Sequence, residues 1–244
     1  MNAGVLAFGD SITNGGGELQ WGVALQSWAL WTARGLGLPY TGYAVDGARM
    51  RDVATRQVPA FTERSVFDRF HVGCLYAGVN DVRAPDWDAA AFERDHAEVA
   101  RFLRERCERV LLVTIPARLG WPQARGVDAA NAAILRVAAD AGALVLDLRG
   151  FGARNLLMAD RVHPTAFGQV WIAERALDVL AADGMEVRVR PSSLIAPGGW
   201  TRRRALQGDW TYVYRTAKEL VRASGAGDRV RRAARAAAGR SGSR

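Results

Sequence analysis

Several residue types are scarce in this 244-residue chain, and each scarcity narrows its chemistry. It has two cysteines, Cys74 inside an apolar run and Cys107 near the end of a charged helical segment. Their spacing makes no metal site, and both are expected to be buried thiols. No apolar run approaches the roughly 20 residues of a membrane span. The first strand candidate starts almost at Met1, with no basic leader and no cleavable apolar helix, so the expected compartment is the cytoplasm. Lysine occurs once, at Lys218, and histidine three times, at His71, His96 and His163. Only three imidazoles are therefore available as a general base.

What is plentiful is ordinary for a soluble protein. Hydrophobic content of 49% and charged content of 24% fit one full core with an extension. The net charge of +8 is uneven. Residues 184–244 hold 14 Lys+Arg against 4 Asp+Glu, whereas residues 1–183 are nearly neutral, at −2. The basic character belongs to the tail. This divides the chain into a body over 1–183 and a basic C-terminal extension over 184–244.

In the body, short apolar runs alternate with segments of helical period. Strands are expected at 3–8, Tyr40–Val45, His71–Ala77, Val110–Ile115 and Ala143–Leu148. Between them, helices are expected at Leu19–Leu36, Met50–Val58 (closed by Pro59), from Asp86 or Asp88 to about Glu108, and Asp128–Ala141. A last helix is expected from Pro164 to Ala182. No repeat of fixed period is present. Five short strands alternating with helices predict a three-layer α/β/α, flavodoxin-like fold around a five-stranded parallel sheet.

Ligands in such sheets bind beyond the carboxyl ends of the strands. The residues found there are Asp10-Ser11, Asp46-Gly47, Gly78-Val79-Asn80-Asp81, Pro116-Ala117-Arg118 and Asp160-Arg161-Val162-His163. Gly9-Asp10-Ser11 alone is ordinary turn chemistry. Together, the strand ends supply the parts of an acyl-transfer site. Ser11 needs a base to take its proton, and His163 has a strand-end position with a carboxylate at loop spacing. His71 opens an apolar strand and His96 sits mid-helix. Asp160, three residues before His163, can hold the imidazole from the same turn. The backbone N–H groups of Ser11 and Gly47 and the Asn80 amide are candidate donors to an oxyanion. Asp10 is too close to Ser11 to admit an imidazole between them and is expected to brace the loop.

Gly9-Asp10-Ser11-Ile12-Thr13 resembles the first block of the SGNH/GDSL hydrolases. The segment around Gly47 resembles the second block, Gly78-Val79-Asn80-Asp81 the third, and Asp160-Arg161-Val162-His163-Pro164 the last. Order and rough spacing match over about residues 3–182. The resemblance implies Ser11 as nucleophile, His163 as base, Asp160 as its partner, and Gly47 and Asn80 as oxyanion donors. It implies an acyl-enzyme route without metal or organic cofactor. Expected substrates are acetyl or short acyl esters of sugars, lipids or small molecules. The second block is the loosest match: Asp46 stands where relatives often carry Asn or a small residue, and its charge is expected to point away. The same machinery also fits an acyltransferase. From a different class, the alternative is a non-catalytic surface-binding module acting through its basic tail. Trp21, Arg49, Arg83, Arg118 and Trp121 are candidates to line the pocket.

The tail reads as an extended arm over 184–200 and a basic amphipathic helix over Asp209–Arg222, with an Arg/Ala segment beyond. Its apolar stripe can pack on the body or on a second subunit, or can place the protein peripherally on an anionic membrane surface. No recognition motif accompanies the arginines, so nucleic acid is not the expected partner. Oligomeric state is left open.

Overall fold

Five apolar segments pair edge to edge in a computed structural model of the chain. It describes residues 2–196 except Trp21, Trp121, Pro122 and Arg154, together with Val213, Tyr214 and Ala217. The strands are β1 (Val5–Gly9), β2 (Tyr40–Gly42), β3 (Phe70–Tyr76), β4 (Cys107–Val113) and β5 (Leu144–Leu146). All pairings are parallel, in the order β2-β1-β3-β4-β5. β1 is buried throughout, and β3 and β4 nearly so, because helices cover both faces.

The chain moves one way along the sheet from β1 to β2 and the other way thereafter. Right-handed crossovers then place the connecting helices on opposite faces. Helices α2 (Trp28–Leu36) and α7 (Ala166–Ala182) pack together on one side, and α5 (Ala89–Arg106) and α6 (Val127–Ala141) on the other. The fold is the flavodoxin-like α/β/α sandwich.

Among the strands, β2 stops at Gly42 and not Val45, β4 starts already at Cys107, and β5 is confined to Leu144–Leu146. Three helices also depart from the sequence expectation. The helix expected from Leu19 begins only at Trp28, where the Ser27 side chain accepts from Leu30 N–H. Before it, the backbone of 18–23 pairs elsewhere: Glu18 bridges to Thr165 and Gln20 to Val23. The short helix α3 (Met50–Asp52) is not closed by Pro59. It widens into a π-turn over Val53–Gln57 and continues as α4 (Val58–Arg64). Proline lacks an N–H and crowds the carbonyl four residues back; the wider turn meets both demands. Helix α7 starts at Ala166 and not at Pro164, because Thr165 Oγ1 caps Gly168 N–H at 3.1 Å. At α5 the cap is Asp88, which accepts from Ala90 and Ala91.

Residues 185–196 lie back across α2 and α7. Gly35 carbonyl oxygen accepts from the N–H groups of Arg188 and Val189, and Arg190 pairs with Glu174 and Asp178. A side chain at residue 35 would meet Leu177 at 2.5 Å, so only glycine lets the arm and α7 approach so closely. Of the helix expected over Asp209–Arg222, only Val213, Tyr214 and Ala217 are described; the rest lies outside the described residues. Among the described residues, no helix is long and apolar enough to cross a membrane.

His96, on α5, is fully buried beside Phe92, and neither ring nitrogen has a hydrogen-bond partner among the described residues. Burial pushes its pKa down from 6.5 to about 4. The unfolded chain therefore takes up a proton below pH 6.5 that the folded chain refuses until about 4. Stability from His96 is lost as pH falls through that window. Asp10, pushed up by burial to about 7, contributes with the opposite sign, its share being lost as pH rises towards 7. His96→Leu isolates the histidine. Its stability margin over wild type is expected to widen by about 2 kcal/mol between about pH 7 and pH 5, or roughly 4–8 °C in Tm. Thermal melts at the two pH values check this; a margin independent of pH contradicts it.

Candidate active site

β1 ends at Gly9, whose φ of +155° lies outside the range side chains adopt readily. A Cβ there would come within 2.2 Å of Tyr76 carbonyl oxygen and 2.7 Å of Thr13 Oγ1. Glycine lets the chain turn sharply over the neighbouring strand. Asp10 then stays extended and caps the four-residue helix α1 (Ser11–Asn14), its Oδ1 accepting from Ile12 N–H at 3.0 Å. Ser11 is thus held just beyond the sheet, almost buried.

Two buried amides fix this turn. Gln57 Oε1 accepts from Gly9 N–H at 3.0 Å, and its Nε2 donates to Gly9 carbonyl oxygen at 2.7 Å. Gln169, on α7, donates to the carbonyl oxygens of Ile12 and Gly16 and accepts from Trp28 N–H. It ties the Ser11 turn to the helix that follows His163. A third amide, Asn131, closes the end of β4 in the same way, pairing with both backbone groups of Ile115. Sequence reasoning missed all three: a glutamine or asparagine at a helical position carries no mark of the backbone it will satisfy.

His163 arrives from beyond β5. The segment crosses over the end of β4, where Gly120 N–H donates to Arg161 carbonyl oxygen at 2.9 Å. Asp160 Oδ1 accepts from the N–H groups of Val162 and His163, and Arg161 adopts a left-handed φ of +57° to close the turn. This leaves Asp160 Oδ2 2.7 Å from His163 Nδ1, and His163 Nε2 2.8 Å from Ser11 Oγ.

The chemistry of the three groups assigns the protons. An ionised carboxylate only accepts, so His163 Nδ1 carries the hydrogen. In the neutral ring, Nε2 is then the acceptor for the Ser11 hydroxyl. Burial pushes Asp160 up, but the bonds from the His163 ring and two backbone N–H groups outweigh it and hold the carboxyl below its usual range. The hydrogen bond to Asp160 raises His163, against burial and with help from the Asp160 and Asp10 charges.

The other expected residues lie on two neighbouring loops. Gly47 is exposed with φ +76°, and a Cβ there would meet nothing within 4 Å, so backbone conformation alone calls for glycine. Asp46 is exposed, and its carboxylate accepts from Asn14 Nδ2 at 2.8 Å. Asn80 donates from Nδ2 to Ala48 carbonyl oxygen at 3.0 Å, which joins the loop after β3 to the residue following Gly47. One amide hydrogen is used there; the group has two. Asp81, pushed up to about 6 chiefly by burial, accepts from Met50 N–H with both oxygens, and Arg49 pairs with Asp86. The loops at 46–52 and 78–86 are therefore strapped together beside Ser11.

A family model described as GDSL-like lipase/acylhydrolase matches residues 7–171, a span reaching from β1 through His163 into α7. The chain belongs to this family. It is a carboxylic ester hydrolase of the SGNH/GDSL type, an esterase. Its fold matches that of Axe2, an acetylxylan esterase from Geobacillus stearothermophilus, at 22% identity and a TM-score of 0.57, covering 78% of this chain and 100% of that one. The acetyl xylan esterase AlAXEase matches at 25% identity and a TM-score of 0.57, over 71% of this chain and 98% of the other. The enzyme LAE5, from the metagenome of Lake Arreo in Spain, matches at 23% identity and a TM-score of 0.56, over 74% and 97%. No curated protein matches this esterase in sequence.

Among the esterase's described residues, no group of three or more His, Cys, Asp or Glu side chains is arranged to hold a metal ion. Cys74 and Cys107 are both buried and free, and burial pushes the Cys107 thiol up to about 12. Of the candidate pocket residues, Arg83 and Arg118 are exposed, and Trp21 and Trp121 lie outside the described residues.

Proposed function

We propose that this esterase removes acetyl or short acyl groups from the hydroxyls of a sugar or similar small molecule, with Ser11, His163 and Asp160 as its catalytic residues. The observation that carries the reading is the unbroken relay of hydrogen bonds from Ser11 Oγ through both His163 nitrogens to Asp160. The short-acyl and sugar parts are supported by the two acetylxylan esterases of like fold.

In this reading Ser11 Oγ attacks the ester carbonyl as its proton passes to His163 Nε2. The imidazolium so formed is stabilised by the Asp160 carboxylate, which stays ionised. The carbonyl oxygen becomes an anion and accepts from the N–H groups of Ser11 and Gly47 and the second amide hydrogen of Asn80. His163 then returns the proton to the departing alcohol oxygen, leaving an acyl group on Ser11. Water, deprotonated by the same Nε2, attacks that acyl group; the bond to Ser11 Oγ breaks as His163 returns the proton to Oγ, and the carboxylic acid leaves.

The Asn80 assignment tests the oxyanion half of this account. Asn80→Ala is expected to lower kcat about 10²–10³-fold, with KM nearly unchanged, since the amide acts on charge that develops after binding. The assay follows p-nitrophenol from p-nitrophenyl acetate and acetate from acetylated xylooligosaccharide. An unchanged kcat removes Asn80 from the oxyanion site. Failure of the wild-type enzyme to release acetate from both this neutral oligosaccharide and an acetylated sugar acid contradicts the sugar reading.

A further inference from the structure

The loops around Ser11 carry several arginines, and most are already paired. Arg49 binds both oxygens of Asp86, Arg51 pairs with Asp95, and Arg149 with Asp147. Arg83 differs. It is exposed and makes no hydrogen bond or ion pair with any described residue. Its backbone is nonetheless well fixed, in a turn closed by Val82 N–H to Gly78 carbonyl oxygen and Ala84 N–H to Asp81 carbonyl oxygen.

That turn is the one that carries Asn80, three residues earlier, at the carboxyl end of β3. β3 neighbours β1, which ends at Ser11. To reach Ser11 from the far edge of the sheet, the segment bearing His163 must cross the ends of β4 and β3, and it is bonded to the β4 loop on the way. Arg83 therefore stands beside the path of that segment. Its positive charge is close enough to lower the proton affinity of His163 slightly.

The side of the ester that meets Arg83 follows from the reaction. His163 Nε2 hands its proton to the oxygen of the departing alcohol, so the alcohol lies on the histidine side of Ser11 and the acyl chain on the other. A guanidinium near His163 faces the alcohol. It offers a planar fork of donors that matches a carboxylate or phosphate.

We infer that Arg83 is a specificity residue: it receives an anionic group, a carboxylate or phosphate, on the alcohol portion of the substrate. The inference rests on the catalytic reading above and narrows its substrate class to esters of acidic alcohols, such as an acetylated sugar acid or sugar phosphate. Arg83 acts by binding and takes no part in bond making.

Three aryl acetates of similar size test this with the full-length enzyme: para-acetoxybenzoate, para-acetoxyphenyl phosphate and the uncharged para-acetoxybenzamide. In wild type at low ionic strength, at least one anionic ester is expected to exceed the amide in kcat/KM by about ten- to hundredfold. Arg83→Gln should collapse that ratio, through KM of the anionic ester, and Arg83→Lys should keep part of it. Whichever anion loses more identifies the group recognised. The same ratio in Arg83→Gln as in wild type, or no anionic preference in wild type, overturns the inference. Failure of the catalytic reading looks different: the uncharged amide would then be hydrolysed equally well by wild type and Ser11→Ala.

Discussion

Replacing Ser11 by alanine is expected to lower kcat for p-nitrophenyl acetate by about 10³-fold or more, in a protein that remains folded. The chemical half follows from the role: without Oγ there is no nucleophile, and only the oxyanion donors and substrate binding remain to assist water. The structural half follows from the turn. Asp10, not Ser11, caps α1, and the loop is held by backbone groups bonded to Gln57 and Gln169. Among the described residues, the Ser11 side chain hydrogen-bonds only to His163. Alanine is also the most favourable residue within a helix. The Tm of Ser11→Ala should therefore stay within a few degrees of wild type. A large drop in Tm together with the loss of activity would assign the serine a structural role instead.

Asp160→Asn is expected to cost about 10²–10⁴-fold in kcat, for a reason distinct from charge removal alone. The Oδ1 position accepts two backbone N–H groups, from Val162 and His163. An asparagine keeps its oxygen there and so turns its NH₂ group towards His163 Nδ1. That nitrogen must then accept, which moves the ring proton to Nε2 and leaves no acceptor for the Ser11 hydroxyl. The turn survives while the imidazole is held in the wrong tautomer.

The pH profile separates this from general damage. The Asp160 hydrogen bond is the main influence raising His163, so wild-type activity should fall off on the acid side with a pKa above that of free histidine. The base works only when neutral, and raising its pKa moves the acid limb upward. In Asp160→Asn the limb should move to lower pH as kcat falls. Steady-state kinetics between about pH 5 and 9 measure both; a loss of kcat with the limb unmoved would mean Asp160 does not act through His163.

Much of this architecture is legible in the amino-acid sequence, because buried parallel strands leave unbroken apolar runs. Val110–Ile115 is the plainest, and it contains most of β4. Once the runs are read as parallel strands, the residues behind them must gather at one edge, which is why Ser11, Asn80 and His163 can be grouped from the sequence alone. Three things were hidden for physical reasons. Trp21, Leu25 and Trp28 have helical spacing, but Glu18, just before them, bridges to Thr165, 147 residues away in sequence, and Gln20 pairs with Val23. Pro59 reads as a helix end, yet one wide turn accommodates it. Gln57, Asn131 and Gln169 look like any other polar residues of helices, although Gln57 and Asn131 satisfy backbone groups at or just beyond a strand end and Gln169 those of the Ser11 turn. Local pattern reports the side chain a residue carries; it does not report which distant backbone group that side chain will meet.

The most direct test of the account is where a covalent acyl-enzyme mimic forms. The wild-type protein, treated with a fluorophosphonate and digested, should yield one modified peptide by mass spectrometry, with the label on Ser11. Labelling should vanish in Ser11→Ala and slow markedly in His163→Ala. A label on another residue, or an active enzyme that carries no label at all, would contradict the assignment of Ser11 as nucleophile.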